Sequence, residues 1–224
     1  MSERSSITAP WGTPQNLGRP VNSEANDFCP TPLPGDWLFF VSERPGPATC
    51  SAGPNSGDIY LSALRRVWRT PVHIGCEETN DGPNSTGAEF SPSLVEYDDG
   101  SSWLYFSSTR GGNMDIYMSR FAGEFQSAVK VAELSSEADD RMPNLRKDGL
   151  EIVFSSNRPG SQAQDVYAAT RASTEDAWSP PVLLGPEINT AGSETRASLS
   201  RDGTRLYFGR DGDVYMATRT KIRD

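Results

Sequence analysis

One phrase occurs four times along the chain, and this repetition constrains the fold more than any other feature. In its clearest copy Trp103-Leu104-Tyr105-Phe106 leads to Ser108-Thr109-Arg110-Gly111 and then to Asp115-Ile116-Tyr117. An apolar run, a turn and a second apolar run read as a hairpin. Trp37-Leu38-Phe39-Phe40 with Arg44 is answered by Asp58-Ile59-Tyr60. Ile152-Val153-Phe154 with Arg158 is answered by Asp165-Val166-Tyr167, and Leu206-Tyr207-Phe208 by Asp213-Val214-Tyr215. The four aspartates, at 58, 115, 165 and 213, stand 57, 50 and 48 residues apart. A self-similar unit of that length signals a repeat architecture.

Two further phrases recur in step with the first. Trp68-Arg69-Thr70-Pro71-Val72-His73-Ile74 is echoed by residues 125–131 and 178–184, and by Trp11-Gly12-Thr13-Pro14-Gln15-Asn16-Leu17 at the start of the chain. Proline lacks a ladder donor and is tolerated at sheet edges, so these are expected to be outer strands. The other phrase places an acid before each hairpin: Asp27, Glu89, Asp140 and Glu194. Turns at Asp98-Asp99-Gly100, Lys147-Asp148-Gly149 and Arg201-Asp202-Gly203 follow, with Gly35-Asp36 in the first copy. Asp-Gly between apolar runs is a strong hairpin signal. Each unit thus holds four short strands, and helical periodicity of useful length is absent. Four strands per unit of this length predict an all-β fold, a β-propeller of four blades with four antiparallel strands each. Residues 1–10 read as a loose tail and 11–224 as one propeller domain.

These motifs resemble the TolB-type, WD-like propeller repeat, in which Ser-x-Asp-Gly, Phe-x-Ser-x-Arg and Asp-Ile-Tyr follow one another. The resemblance runs from about Trp11 to Arg219 and implies a propeller fold. It implies little about activity, because the scaffold serves many roles. The fourth copy departs from the pattern: Phe208-Gly209-Arg210-Asp211-Gly212-Asp213 has a shortened turn, so Arg210 need not match Arg44, Arg110 and Arg158. The last unit also lacks an outer strand, whereas the phrase at 11–17 is spare. The simplest solution pairs Gln15–Leu17 with the stretch Val214–Ala217 and closes the ring. A half-ring completed by another chain is the alternative.

Charge narrows the partners. The chain has 21 basic and 30 acidic residues, a formal net charge of −9. That balance repels phosphate backbones and anionic membrane surfaces, so neither nucleic acid nor membrane is expected. No apolar run reaches the roughly 20 residues of a spanning helix, and residues 1–10 lack the apolar core of a signal peptide. A soluble protein is expected, with a periplasmic or extracellular origin left open. Cys29, Cys50 and Cys76 have no CxxC spacing and read as free thiols, although Cys50 and Cys76 both fall in loops and one disulfide is feasible.

Asp27, Glu89, Asp140 and Glu194 share one position, the entry to the innermost strand. Four carboxylates around a channel repel one another unless something compensates them. Three arrangements answer this. Each acid pairs with an arginine of the hairpin turns, or the four hold a hard cation such as Ca2+, or two of them form a catalytic pair. Beside them stand Phe28, Phe90, Arg141 and Thr195, with Arg196 next, so either the channel mouth suits a small polar ligand or a protein, or Phe28 and Phe90 simply plug the channel. The expected ligand-binding set is Asp27, Phe28, Glu89, Phe90, Asp140, Arg141, Glu194 and Arg196, with the inserts 45–57 and 77–86 adding to one face. The repeated aspartates read as scaffold, the tyrosines 60, 117, 167 and 215 as inter-blade packing, and Trp11, Trp68 and Trp178 as blade-edge covers. His73 is the only histidine, so a Ser-His-Asp arrangement is not expected. The leading reading is a non-catalytic binding module. The alternative is a carboxylate- or Ca2+-dependent hydrolase acting on a glycoside or lactone at the channel.

Overall fold

The computed structural model describes residues 1–220 apart from 3, 7, 48, 49, 51–55, 80, 81 and 98. Asp98 of the second hairpin turn, and the named parts of the inserts 45–57 and 77–86, lie outside the described residues. Four antiparallel sheets follow one another along the chain in a propeller arrangement. The first holds β1 (Asp27–Leu33), β2 (Trp37–Ser42) and β3 (Asp58–Arg65), with β4 (Val67–Trp68) and β5 (Val72–His73) both paired to β3. The second is β6 (Glu89–Glu96), β7 (Ser102–Ser108), β8 (Asp115–Phe121) and β9 (Val129–Lys130). The third is β10 (Asp140–Leu145), β11 (Glu151–Ser156), β12 (Asp165–Thr170) and β13 (Val182–Leu183). The fourth has three strands, β14 (Glu194–Leu199), β15 (Arg205–Arg210) and β16 (Asp213–Thr218). Among the described residues there is no α-helix, and none long and apolar enough to cross a membrane.

The turns obey their sequence. Gly100, Gly149 and Gly203 take φ of +82°, +70° and +68°, a region open to glycine at no steric cost. The second strands of the two middle blades are apolar on both faces because blades lie on both sides of them, and the outer face of β2 is covered by Leu17 and Val21 instead. Phe39 and Val41 of β2 pack with Leu104 and Phe106 of β7. Tyr105 meets Ile152 and Phe154 of β11. Val153 meets Leu206 and Phe208 of β15. Alternation along a strand therefore assigns successive residues to successive inter-blade cores.

The expected ring closure does not occur. Residues 11–17 form no strand, and β16 pairs only with β15. Inner strands contact in the order β1, β6, β10, β14, but no strand of the fourth blade lies against the first. The reason is where the N-terminal residues are used. Leu17 packs with Val21, Leu38 and Phe40 on the outward face of the first blade. The backbone of Gln15 is tied to that of Met1. One end of the arc is thus covered, while Val214 (80% exposed) and Met216 (55%) stay open at the other. Trp11, expected to cover a blade edge, is 63% exposed, whereas Trp178 is buried. Two of the three cysteines are not free: Cys50 and Cys76 form a disulfide, and only Cys29 remains a thiol.

Candidate functional site

The four acids stand where the repeat predicts, each opening the innermost strand of its blade. Each is engaged by an arginine of the same blade's hairpin. Asp27 accepts from Arg44 Nη2 at 2.7 Å and Glu89 from Arg110 Nη2 at 3.0 Å. Asp140 accepts from Arg158 through Nη2 and, at 3.2 Å, through Nε. Glu194 accepts from Arg210 Nε at 2.8 Å. Arg210 therefore does match the other three. In the ladder it stands directly opposite Glu194, where Ser42, Ser108 and Ser156 stand opposite their acids. The side chain reaches across what the shortened turn omits.

Three further layers repeat with the pair. Each guanidinium lies over two stacked rings. Arg44 covers Phe40 and Tyr60 at 5.1 and 5.2 Å, and Arg110 covers Phe106 and Tyr117 at 5.5 and 4.7 Å. Arg158 covers Phe154 and Tyr167, both at 5.1 Å, and Arg210 covers Phe208 and Tyr215 at 5.3 and 4.8 Å. Each arginine also donates to a carbonyl behind it, those of Val21, Pro83, Leu134 and Ile188. Finally, a hydroxyl four residues before each acid donates to it: Ser23 at 2.9 Å, Ser85 at 2.6 Å, Ser136 at 2.6 Å and Thr190 at 2.7 Å. The Ser/Thr-x-x-x-Asp/Glu spacing is plain in the sequence and could have announced that the carboxylates are committed. A planar cation fits this slot because a guanidinium donates in its plane and stacks through its faces.

These acids are framework. Glu89, Asp140 and Glu194 are fully buried. No three of the four converge: among the described residues, the one group of three possible ligands within 4.8 Å is Cys50, His73 and Cys76, whose sulfurs are tied in the disulfide. The acids therefore do not stand in the arrangement a shared cation needs. Their electrostatics differ nonetheless. Burial pushes the Asp27 carboxyl up, but the Ser23 N–H, Arg44 and the Ser42 and Ser23 hydroxyls outweigh it and hold the group below its usual value. At Glu89 burial wins over Arg110 and the Ser85 and Ser108 hydroxyls, and the carboxyl is pushed up to about 7. Three of the four strand-opening aspartates are engaged in three different ways, and Asp213 is exposed. Asp58 lies 3.3 Å from His73 Nε2, Asp115 binds Lys130 at 2.6 Å, and Asp165 accepts the Gln162 N–H.

The residues beside the acids behave differently. Phe28 and Phe90 meet at 5.9 Å between ring centroids and pack partly into the core between the first two blades. The side chains of Arg141 and Arg196, at the third and fourth blades, make no hydrogen bond or ion pair with the described residues; Arg141 Nε is buried without a partner, whereas Arg196 is exposed. After the first two residues of each inner strand the ladder slips by a bulge. Cys29, Ser91, Met142 and Arg196 take φ of +50°, +52°, +59° and +55° there. Together with the residues that follow them, these four line one axial cavity of about 220 Å3. A larger cleft, about 810 Å3, opens at the other end of the inner strands, between Trp37, Leu94, Phe121 and Leu145.

No protein-family model and no curated protein matches the chain. Solved structures do. Fructan 1-exohydrolase IIa from Cichorium intybus superposes with a TM-score of 0.56 at 12% identity, over 87% of this chain and 42% of that one. An endo-arabinase from Bacteroides thetaiotaomicron gives 0.51 at 16% identity, over 87% and 74%. A TolB candidate from Agrobacterium tumefaciens gives 0.49 at 17% identity, over 81% and 53%. The chain thus spans between about two fifths and three quarters of the length of these structures. At such identities the likeness is one of fold, and the fold is the β-propeller.

Proposed function

We propose that this propeller engages carbohydrate at the axial cavity and the mouth above it, as a binding module rather than through acid–base chemistry of its ring carboxylates. The observation that carries this is the commitment of all four carboxylates. Each accepts an arginine and a hydroxyl, and three are fully buried, so none presents a free lone pair to a substrate. Glycoside cleavage needs two carboxyl groups in contact with the sugar, one as acid and one as base or nucleophile. What lines the cavity instead is a set of polar groups, Thr31, Ser91, Asn144, Arg196 and Ser198, among prolines and Met142, a concave lining of the kind that orients a small ligand.

Hydrolysis is the second reading, and as a class it draws more support from the comparisons than binding alone does, at the level of fold. The propellers that superpose above a TM-score of 0.5 include a fructan exohydrolase and arabinan-degrading enzymes. One feature of the chain also favours it: Glu89, held near 7, is the ring acid with general-acid character at neutral pH. A glycan array followed by a reducing-end assay on the purified chain separates the two. Binding of a glycan without release of reducing ends is expected. Release that is lost in Glu89→Gln would overturn the binding reading in favour of hydrolysis.

A further inference from the structure

Away from the axial cavity, the first blade breaks the repeat in a way that gathers soft ligands. Opposite Tyr60, Tyr117 and Tyr167 in the ladder stand His73, Lys130 and Leu183. Lys130 answers Asp115 with a charge, whereas His73, the only histidine of the chain, lies against Asp58. Three residues after His73 comes Cys76, where the other blades have Glu133 and Pro186. Cys50 is brought in by the hairpin loop of this blade, which runs from 43 to 57, whereas that of the second blade runs only from 109 to 114. The two sulfurs and one ring nitrogen all lie within 4.8 Å of one another.

The imidazole is held in place as a ligand would be. Its Nε2 lies 3.3 Å from Asp58 Oδ2 and 3.2 Å from the Asn84 amide nitrogen. Tyr60 meets the ring edge-on at 5.2 Å, and the Gly75 N–H reaches Nδ1 at 3.3 Å. A carboxylate behind an imidazole is the usual outer partner of a zinc-binding histidine, because it orients the ring and raises its basicity. Cys76 is anchored as well: its backbone bridges to Asn84, whose amide brackets both the N–H and the carbonyl of Ile59. Both cysteines are buried. A cross-link that only staples two loops has no use for an oriented imidazole beside its sulfurs.

We infer that Cys50, Cys76 and His73 form a redox-gated metal site, closed as a disulfide when oxidised and open to Zn2+ when the two sulfurs are reduced. A phosphine reductant breaks the S–S bond and becomes the phosphine oxide, with water supplying its oxygen and the two thiol protons. Zn2+ then displaces those two protons, forming two bonds to sulfur and one to Nδ1 of His73, while Asp58 holds the proton on Nε2. Three protein ligands leave the fourth tetrahedral position to water. Zinc bonds of about 2.0–2.3 Å set the ligand atoms roughly 3.5 Å apart, so opening the S–S bond and shifts of about 1–2 Å complete the geometry. Two thiolates and an imidazole select Zn2+ over hard ions such as Ca2+.

The test titrates the full chain with Co2+, a spectroscopic stand-in for Zn2+, before and after reduction by a phosphine. The reduced chain is expected to bind one Co2+ with a thiolate-to-cobalt charge-transfer band and the strong visible bands of tetrahedral coordination, and Zn2+ should displace it. The oxidised chain should show neither band. Cys29→Ser removes the remaining thiol and should keep the signal, whereas Cys50→Ser should lose most of it. Asp58→Asn removes the partner of the imidazole without removing a ligand, and should weaken binding about 10–100-fold. Thiols in an unfolded reduced chain would not respond to that change. Zn2+ should also raise the melting temperature of the reduced chain and leave that of the oxidised chain unchanged. No charge-transfer band after reduction, or equal affinity in the reduced wild type, Asp58→Asn and His73→Gln, overturns the metal site and leaves Cys50 and Cys76 as a disulfide only.

Discussion

Two neighbouring layers of the same inner strands have followed opposite rules. At the strand entry every blade keeps an acid, an arginine over two rings and a hydroxyl four residues upstream. One and two residues further on, the side chains change from blade to blade: Phe28, Phe90, Arg141 and Thr195, then Cys29, Ser91, Met142 and Arg196. The backbone does not distinguish the blades, since the same bulge and the same positive φ recur in all four. The difference therefore lies in what each layer must satisfy. A buried carboxylate needs its partners wherever it occurs, so the solution repeats. The residues that follow have no such shared partner: Phe28 and Phe90 pack against the core between the first two blades, while Cys29, Ser91, Met142 and Arg196 line the axial cavity, so nothing in the framework makes them repeat.

The largest expected effect breaks this contrast at one blade. Asp140→Ala removes a fully buried carboxylate and leaves Arg158 without its ion pair in the interior. Breaking one side of a buried pair costs about 3–5 kcal/mol, which lowers the melting temperature by roughly 6–20 °C in a chain of this size. Arg141→Gln, one residue away and unpartnered, should move it by no more than about 2 °C. Differential scanning calorimetry of the two variants tests the contrast directly. Equal losses would mean that the second layer is framework too.

A smaller effect sharpens the comparison within the acid layer. The Glu89 carboxyl is raised from 4.5 to about 7 by burial. The folded state then binds a proton that the unfolded state has released, so its contribution is full below about 4.5 and is lost as the pH rises through about 7. Asp27, held low, works the other way: its contribution is present above its ordinary value of 3.8 and is lost as the pH falls. Between pH 4.5 and 7 the wild type should lose stability of order 2–3 kcal/mol that Glu89→Gln does not lose. Denaturant midpoints across that window measure it. Identical slopes would show that Arg110 holds Glu89 ionised throughout.

How much of this was legible in the sequence follows from the range of the interactions. The hairpins are local, so Asp-Gly turns and apolar runs declared them, and the two apolar faces of β7 and β11 declared a blade on each side. The acid layer is half legible: the acids and three arginines are in phase, but Arg210 stays open in the sequence because a two-residue shortening moves it along the chain without moving its guanidinium. The sequence names the Cys50–Cys76 disulfide only as an option beside free thiols, because cysteines 26 residues apart in loops carry no spacing signal for a bond. That Arg141 and Arg196 lack partners was not legible at all, since an absence of neighbours is a property of the assembled channel. Ring closure failed for a related reason. The phrase at 11–17 has the pattern of an outer strand, but pattern does not say which blade Leu17 will cover.

That last point yields the smallest effect. In the three complete blades the residue matching Leu17 hydrogen-bonds the third strand: the N–H groups of Ile74, Val131 and Leu184 donate to the carbonyls of Ile59, Ile116 and Val166. The corresponding acceptor in the fourth blade is Val214, which stands 80% exposed with no strand beyond it. Leu17 instead serves as a half-buried cover over Leu38 and Phe40. Leu17→Ala should therefore cost only about 1 kcal/mol, the value of part of a leucine side chain withdrawn from water. The cost should fall on the first blade alone. Hydrogen exchange separates a cover from a closing strand. The Val214 and Met216 amides, at an open edge, should exchange quickly in both the wild type and the variant, whereas the Val166 amide, bonded to Asn189 Oδ1 at 2.8 Å, stays protected in both. Slow exchange at Val214 in the wild type that is lost in Leu17→Ala would show that the N-terminal segment closes the ring after all.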